Sequence, residues 1–327
     1  MDTLNLIGVG TYLPHSTPVE ELLKNAGTDP SLHDGWTHVG VAGPEDQPST
    51  MGLQALRQAL EQAEIPASEL KLVLACGVSR DFLPSWSVSM EIVRLLELPY
   101  SCYAFDLTVG CLGTLTGLEV AGSWLAAHGG GYAAIVNAER WNYTVDYRNA
   151  SGHALWGHAD GASAAVVGLG EAAGKSRTLG KYRGSCFAND ASLNGLVKIP
   201  YGGTREPVAP EGASPFKRQL MDKPAREIFA AYIKGYEHAM EAAQERFGEA
   251  ADVLACNQIS PHFTAAIGEL LDLTSDNVSI SGHETGHVGS ADILIGIRRL
   301  FDEGRLKGRV WMAGSTPYAF GAGLLEC

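Results

Sequence analysis

Long apolar runs and a surplus of basic residues are both missing from this chain of 327 residues. No segment approaches the roughly 18 consecutive apolar residues that a membrane-spanning helix needs. The 24 Lys and Arg are outnumbered by 37 Asp and Glu, which gives a net charge of −13 at pH 7 and disfavours binding to nucleic acid. We therefore expect neither a membrane span nor a nucleic-acid partner.

Paired cysteines are missing as well. The six cysteines are scattered singly along the chain, without the C-x-x-C spacing that is typical of metal and redox sites. No basic and apolar leader precedes them. We therefore expect reduced thiols and a cytoplasmic protein.

Short apolar runs alternate with helical patterns twice along the chain, which indicates α/β layers. The predicted strands lie at 4–9, 72–76, 103–107, 133–138, 163–168, 253–259, 278–281 and 310–313. The predicted helices lie at 49–63, 87–96, 112–127, 224–247, 263–271 and 291–301.

Two similar series of elements predict two similar halves. We place the first half, with a nucleophilic cysteine, at 1–170 and the second half, with catalytic histidines, at 171–327. The Gly-rich passage 168–184 is predicted to connect them, and 183–220 to form a long loop or cap near the site. This prediction rests on the order of the elements and not on repeated residues.

Cys111 stands between a strand pattern and a helix pattern. The small residues of Val-Gly-Cys-Leu-Gly interrupt the apolar run that begins at Tyr103, and Leu115, Leu118 and Ala121 follow at helical spacing. At a helix N-terminus, free backbone N–H groups and the helix dipole favour a thiolate. This placement suits a cysteine that accepts an acyl group.

Four segments carry a family resemblance, namely residues 49–52, 105–113, 156–162 and 259–263. In that order they resemble the first long helix, the nucleophile segment, the Phe-Gly-Asp-Gly-Ala strand and the Pro-His-Gln segment of the β-ketoacyl-ACP synthase III enzymes of the thiolase superfamily. The resemblance implies a thiolase-like duplicated five-layer αβαβα sandwich and a homodimer. It implies no tightly bound cofactor, and substrates that are acyl-CoA or acyl-carrier-protein thioesters.

The resemblance also implies catalytic roles for two histidines. His262 stands at the family's His position, whereas His287 stands where the family has Asn in a Gly-Asn-x-x-x-Ala-Ser run. Histidine can exchange a proton near pH 7, so this change favours passing the acyl group to an alcohol, amine or thiol. Asp292, five residues on, could orient His287, although capping of its own helix is the favoured interpretation.

An oxyanion hole is implied at the backbone N–H groups of Cys111 and Thr316, because the loop 314–321 stands where the family has Gly-Gly-Gly. Pro317 departs from that pattern and removes the next N–H.

Donor binding is implied at Trp36, but both arginines of the family's coenzyme A segment are replaced here, and Arg148 is an alternative phosphate ligand. Phe82 and Trp86, in the loop 79–87, are predicted to line the acyl pocket.

Residues 283–287 spell His-Glu-Thr-Gly-His, the H-E-x-x-H motif of zinc peptidases. That chemistry requires both histidines on one face of a stable helix. Gly286 lies inside the motif and a strand-like run precedes it, so we interpret the segment as a loop and expect no metal. A zinc metallopeptidase stays a remote alternative.

These patterns favour an acyltransferase of secondary metabolite biosynthesis that forms an acyl-Cys111 intermediate and passes the acyl group to a small-molecule or carrier-bound acceptor. The main alternative is a decarboxylative Claisen condensation with a malonyl thioester. A non-catalytic partner subunit is a third hypothesis, against which the retention of Cys111, His262 and His287 argues.

Overall fold

The computed structural model describes residues 3–83, 85–221 and 223–327. The strands are β1 Leu4–Tyr12, β2 His15–Pro18, β3 His38–Val41, β4 Leu70–Ala75, β5 Tyr103–Asp106, β6 Gly131–Arg140, β7 Asp160–Leu169, β8 Gly180–Asn189, β9 Val197–Lys198, β10 Gln219–Leu220, β11 Val253–Cys256, β12 Val278–Ser279, β13 Arg309–Thr316 and β14 Ala319–Glu326. The helices are α1 Val19–Ala26, α2 Pro48–Ala63, α3 Val88–Leu95, α4 Gly113–Ala127, α5 Glu171–Lys175, α6 Ala225–Phe247, α7 Pro261–Glu269, α8 Gly282–Thr285 and α9 Asp292–Asp302.

Two groups of five strands repeat one topology. The first runs β5-β4-β6-β7-β1 and the second runs β12-β11-β13-β14-β8, and antiparallel pairing of β1 with β8 joins them. In each group the first three strands are parallel and the last two join antiparallel. This confirms the predicted α/β fold. The boundary between 170 and 171 stays a prediction and falls between β7 and β8.

Five layers follow from how the helices pack. Apolar residues of α4 and α9 form one core with strands of both groups. Helices α2 and α3 cover the outer face of the first group, and α6 and α7 cover that of the second. The buried helices α4 and α9 therefore lie between the two groups of strands. Their N-terminal turns contact each other, which brings the loops before them together.

The sequence also contains repeated residues that the element order did not reveal. Val-Leu-Ala-Cys occurs at 73–76 and again at 253–256, on the second strand of each half. Val-Gly precedes the 3-10 turn before α4 and also the one before α9.

Two central strands were missed by sequence reasoning. β8 begins inside the predicted connection, and β14 was not predicted at all. Both are rich in glycine and small residues, which have low strand propensity. Their neighbours decide the outcome, because β8 and β14 pair with each other along nearly their whole length. Within the described residues, no helix combines the length and the apolar character that crossing a membrane requires.

Candidate active site

Cys111 lies in a 3-10 turn, Gly110–Leu112, that leads directly into α4. Gly110 has a φ of 58°, a left-handed conformation that other residues adopt only at a cost. A Cβ at this position would also lie 2.9 Å from Cγ2 of Thr316. Glycine therefore lets the turn pack against the end of β13 and holds the buried Cys111 at the start of α4.

His287 is the side chain that meets the thiol. Its Nε2 lies 3.7 Å from Sγ of Cys111, and both residues are buried. The backbone of His287 is fixed by two hydrogen bonds, from its N–H to Gly157 O at 2.8 Å and from Ala159 N–H to its own oxygen at 2.9 Å. The loop before α9 is thereby joined to the start of β7, and the imidazole is held against Cys111.

Asp292 contacts the other side of the same imidazole. Its Oδ2 lies 2.5 Å from Nδ1 of His287 and also accepts a hydrogen bond from Gln258 N–H at 2.7 Å. Its Oδ1 accepts from Val288 N–H at 2.8 Å. The carboxylate therefore orients His287 and the loop before α9. The sequence alone favours a different interpretation, in which Asp292 caps its own helix. Because a carboxylate accepts, Nδ1 carries the proton and Nε2 presents a lone pair to the thiol.

The thiol is held in its protonated form by its surroundings. Burial, reinforced by the charges of Glu139 and Asp292, raises the pKa of Cys111 well above its ordinary value, and Arg218 opposes that shift. The expected thiolate at the helix N-terminus is therefore not favoured at rest. Since Nε2 of His287 faces the thiol, a base is in place to remove the proton when a substrate arrives.

Asn257, rather than His262, is the residue after β11 that reaches this cluster. It is fully buried, its Nδ2 donates to Gly289 O at 2.9 Å, and its Oδ1 accepts from Ser315 N–H at 2.8 Å. His262 lies on the first turn of α7 and is exposed, so the structure does not bring it to Cys111 and His287. The sequence signal that could have identified Asn257 is the pair Asn257-Gln258, because the family's Pro-His-Gln segment also ends in Gln.

Trp36 packs inside the protein. Its side chain is 1% exposed, its Nε1 donates to Gln258 O at 2.6 Å, and its ring meets that of His283 edge-on. The segment that carries Trp36 packs against the loop after β11, and the role of Trp36 in donor binding stays a prediction.

Thr316 ends β13 beside the nucleophile turn and is buried. Its hydroxyl accepts a hydrogen bond from Ala319 N–H at 3.0 Å, which tightens the β13–β14 hairpin. Thr316 therefore lies beside Gly110, the residue that precedes Cys111 in the chain. Its role in an oxyanion hole stays a prediction.

The predicted donor and pocket residues outside this cluster face solvent to different degrees. Arg148 is exposed and forms an ion pair with Asp146 at 3.2 Å. Phe82 is 67% exposed, and its ring meets that of the partly buried Trp86 at 5.6 Å. Arg148 remains accessible to a phosphate, and the roles of Phe82 and Trp86 stay predictions.

Three further side chains complete the cluster and were not found from the sequence. The rings of Trp141 and His158 lie 5.3 Å and 4.9 Å from that of His287, measured between centroids. Arg218 donates from Nη1 to Nδ1 of His158 at 2.7 Å, and its guanidinium stacks 4.6 Å from the Trp141 ring. Arg218 comes from the predicted cap, which confirms that this segment reaches the site.

The H-E-x-x-H motif does not form a metal site. Helix α8 ends before His287, whose imidazole is held by Asp292, whereas His283 is exposed and contacts Trp36. Across the part of the chain that the structure describes, no group of three or more His, Cys, Asp or Glu could hold a metal ion. The two histidines therefore do not share the helix face that the zinc peptidase alternative requires.

Comparisons with known proteins agree with this architecture. Residues 105–182 match the family described as 3-oxoacyl-[acyl-carrier-protein (ACP)] synthase III. The chain is 27% identical to the beta-ketoacyl-[acyl-carrier-protein] synthase III of Caldanaerobacter subterraneus subsp. tengcongensis, over 98% of this chain and 94% of that protein. It is 26% identical to the protein of the same name from Aliarcobacter butzleri, over 97% and 93%.

Two solved structures share the fold. A variant of OleA from Xanthomonas campestris superposes with a TM-score of 0.85 at 22% identity, over 99% of this chain and 98% of that one. The 3-oxoacyl-(acyl carrier protein) synthase III, FabH, from Xanthomonas oryzae pv. oryzae gives 0.84 at 22% identity, over 100% of both. Over nearly its whole length the chain is therefore similar to β-ketoacyl-[acyl-carrier-protein] synthase III enzymes, and it has the fold of the FabH and OleA structures.

Proposed function

We propose that this enzyme takes an acyl group from a thioester onto Cys111 and passes it to an oxygen, nitrogen or sulfur acceptor. The observation that carries the proposal is the line of contacts from Cys111 Sγ to His287 Nε2 at 3.7 Å and from His287 Nδ1 to Asp292 Oδ2 at 2.5 Å. A nucleophile, a base and a carboxylate that orients the base are the parts that such a transfer needs.

The first half-reaction loads the cysteine. His287 Nε2 takes the proton of Cys111 as Sγ attacks the thioester carbonyl carbon. The backbone N–H groups of Cys111 and Thr316 are the proposed donors to the oxyanion that forms. Collapse of the tetrahedral intermediate breaks the original carbon–sulfur bond, and the imidazolium returns the proton to the departing thiolate.

The second half-reaction uses the same base. Once the donor thiol has left, His287 is again neutral and takes the proton of an acceptor hydroxyl, amine or thiol. The acceptor attacks the acyl-Cys111 carbonyl, the bond to Sγ breaks, and the cysteine regains its proton from His287. Asp292 keeps the tautomer of His287 correct through both steps.

Decarboxylative condensation is the second candidate, and the tautomer argues against it. An enolate formed from a malonyl thioester needs hydrogen-bond donors at its oxygen. Neutral His287 presents a lone pair at Nε2, because Asp292 holds the proton at Nδ1. His262, the second donor implied by the family, is exposed on α7. These two observations favour acyl transfer over condensation.

Several finer assignments belong to the same proposal. The donors are acyl-CoA or acyl-carrier-protein thioesters, no tightly bound cofactor takes part, and the pathway is one of cytoplasmic secondary metabolism. The functional form is a homodimer. Two observations support a dimer. The strand β5 is an edge strand of the sheet, and its Tyr103 is 57% exposed. The apolar side chains of Phe82 and Leu83 are also exposed, by 67% and 71%.

Intact-protein mass spectrometry tests the proposal. The protein is incubated with a panel of acyl thioesters of coenzyme A and of carrier protein, beside the Cys111→Ala variant. A mass gain equal to the acyl group, absent in Cys111→Ala and discharged by an alcohol or amine, supports it. Carbon dioxide release from malonyl thioesters that depends on His287 would favour condensation instead. No acylation by any donor would refute both.

A further inference from the structure

Arg218 carries a positive charge into the site without an acidic partner of its own. Among the residues that the structure describes, no carboxylate lies within 4.0 Å of its guanidinium, although eight other arginines are ion-paired (Arg80, Arg94, Arg148, Arg183, Arg298, Arg299, Arg305 and Arg309). A charge that is taken out of water without a counter-charge is costly. The site thus contains a cation that a substrate can pair.

The position of this cation is fixed by the protein. Its Nε donates to Thr144 Oγ1 at 2.6 Å, Nη1 to His158 Nδ1 at 2.7 Å and Nη2 to Trp141 O at 3.3 Å. Its backbone N–H donates to Thr144 O at 2.9 Å. Of the five N–H donors of a guanidinium, these three side-chain bonds leave two for a ligand. The cation is therefore preorganised and not fully used.

The partners of Arg218 do not share its charge. Because a guanidinium can only donate, Nδ1 of His158 must accept, and His158 is the neutral tautomer with its proton on Nε2. Burial, with the charges of Arg218 and His287, lowers the pKa of His158 well below its ordinary value. Burial likewise lowers the pKa of Arg218 to about 10. The group stays charged at neutral pH, but its desolvation costs free energy.

The nearby buried carboxylates are occupied elsewhere. Glu139 accepts from Val78 N–H, Ser79 N–H, Ser79 Oγ and Ser290 Oγ at 2.8 to 3.1 Å. Asp160 accepts from Ala42 N–H at 2.8 Å and Asn142 N–H at 2.7 Å. These donors hold both carboxylates in place. Their charges favour the charged form of Arg218, but neither carboxylate forms an ion pair with it, so a ligand carboxylate can take that position.

We propose that Arg218 selects acyl groups that carry a free carboxylate, so that the preferred donor is the monothioester of a dicarboxylic acid. Arg218 touches His158, whose ring lies 4.9 Å from that of His287, which meets Cys111 at 3.7 Å. The cation is therefore at the reacting end of the thioester. A pantetheine phosphate lies at the far end of its arm, and this makes the acyl carboxylate the better match.

This inference rests on the acyl-enzyme proposed above and deepens it. Loading is the same exchange, in which the Sγ–acyl bond forms, the donor carbon–sulfur bond breaks and the thiol proton passes through His287 to the leaving thiolate. The carboxylate does not react. It pairs with the two remaining N–H groups of Arg218 while the thioester carbonyl lies at Cys111.

The test compares malonyl and isovaleryl thioesters of N-acetylcysteamine, which share a branched end but differ in charge and contain no phosphate. Loading of Cys111 is followed by intact mass, which also distinguishes malonyl from acetyl. We expect a malonyl preference of about 10- to 100-fold in loading rate, as for a hydrogen bond to a charged group. Arg218→Met should remove it and Arg218→Lys should retain most of it. Arg205→Met, an exposed arginine of the same cap, should leave it unchanged.

Each outcome separates the two proposals. Equal loading, or faster isovaleryl loading, by the wild type overturns the role of Arg218 while the acyl-enzyme stands. If Arg218→Met slows loading from both coenzyme A thioesters but from neither N-acetylcysteamine thioester, Arg218 binds the phosphate, and its role in selecting carboxylates is overturned. If neither thioester nor any other donor loads Cys111, the proposed function itself fails. Loss of the near-ultraviolet circular dichroism signal in Arg218→Met would show that this variant is misfolded. The proposal is then judged by the malonyl preference of the wild type and by its retention in Arg218→Lys.

Discussion

The turn before α4 and the turn before α9 are built alike, and only the first carries the proposed nucleophile. Both begin with Val-Gly, both form a 3-10 turn, and Gly110 and Gly289 have φ values of 58° and 62°. Cys111 follows Gly110, whereas Ser290 follows Gly289. The same backbone geometry therefore supports a reactive residue in one half and a structural one in the other.

The surroundings of the two turns explain the difference. Ser290 is fully buried, and its Oγ donates to Glu139 at 2.8 Å while its backbone oxygen accepts from Thr114 Oγ1 at 3.1 Å. Cys111 instead faces His287, which lies on the loop leading into the second turn. One half thus supplies the proposed nucleophile, and the other supplies the proposed base and Asp292. The repeated topology places the two turns side by side.

The largest contrast is expected from removing the two equivalent side chains. Cys111→Ala should abolish acyl loading, because no other group replaces the thiol. Ser290→Ala should load normally and lose about 2 kcal/mol of unfolding free energy, the usual value of a hydrogen bond to a charged group. Intact mass measures the first effect and urea unfolding the second. Loss of loading in Ser290→Ala with the fold intact would contradict the division of roles.

Replacing Asp292, whose carboxylate occurs only in the second half, should have the next largest effect on acyl transfer. Asp292→Asn removes the acceptor that fixes the tautomer of His287, so transfer should slow by about 10²- to 10⁴-fold. Single-turnover discharge of the acyl-enzyme measures this. Asp302→Asn, on the exposed end of the same helix, is the matched control and should change little. Equal effects in both variants would argue for general destabilisation of α9.

The protonation state of Cys111 can be tested by pH. Since burial, Glu139 and Asp292 raise its pKa well above the ordinary value, the thiol is protonated at neutral pH. Labelling by iodoacetamide should therefore be slow near pH 7 and should still be rising above pH 9, with a free cysteine peptide as reference. Peptide mass spectrometry follows the rate. A plateau below pH 7 would instead indicate a resting thiolate–imidazolium pair.

The left-handed glycine of the second turn has a matched control. A Cβ at Gly289 would lie 2.4 Å from Cη2 of Trp141 at a φ of 62°, whereas one at Gly129, with a φ of 74°, would meet nothing within 4 Å. Gly129→Ala should cost only backbone strain, about 1–2 kcal/mol. Gly289→Ala should lower thermal stability further and displace Trp141. Equal losses in thermal unfolding would show that the contact with Trp141 is unimportant.

The smallest effect is expected at the histidine that the family resemblance favoured. His262 is exposed on α7, so His262→Ala should leave loading and discharge within about twofold of wild type. His287→Ala should slow both steps strongly. A large loss of transfer in His262→Ala would return this residue to the mechanism.

Much of this architecture could be predicted because it is local. Strands β4, β6 and β11 can be recognised from their apolar runs, and helix α4 from its periodic pattern. The small residues before Leu115 mark the turn that carries Cys111. β8 and β14 escaped prediction because pairing with each other, and not propensity, makes them strands. His262 was placed in the site because a motif match gives a position in the chain and says nothing about exposure.

The sequence by itself determined the α/β alternation, and it pointed to Cys111 as the candidate nucleophile and to His287 as the candidate base. Only the tertiary structure decided what surrounds them. It brought Asp292 to His287, buried Trp36, turned His262 to solvent and placed Arg218 beside His158. The reason is physical: hydrophobic periodicity and turn chemistry act over a few residues, whereas burial, hydrogen-bond partners and charge depend on segments that the fold brings together. It brings Arg218 to His158 across 60 positions of sequence and Cys111 to His287 across 176.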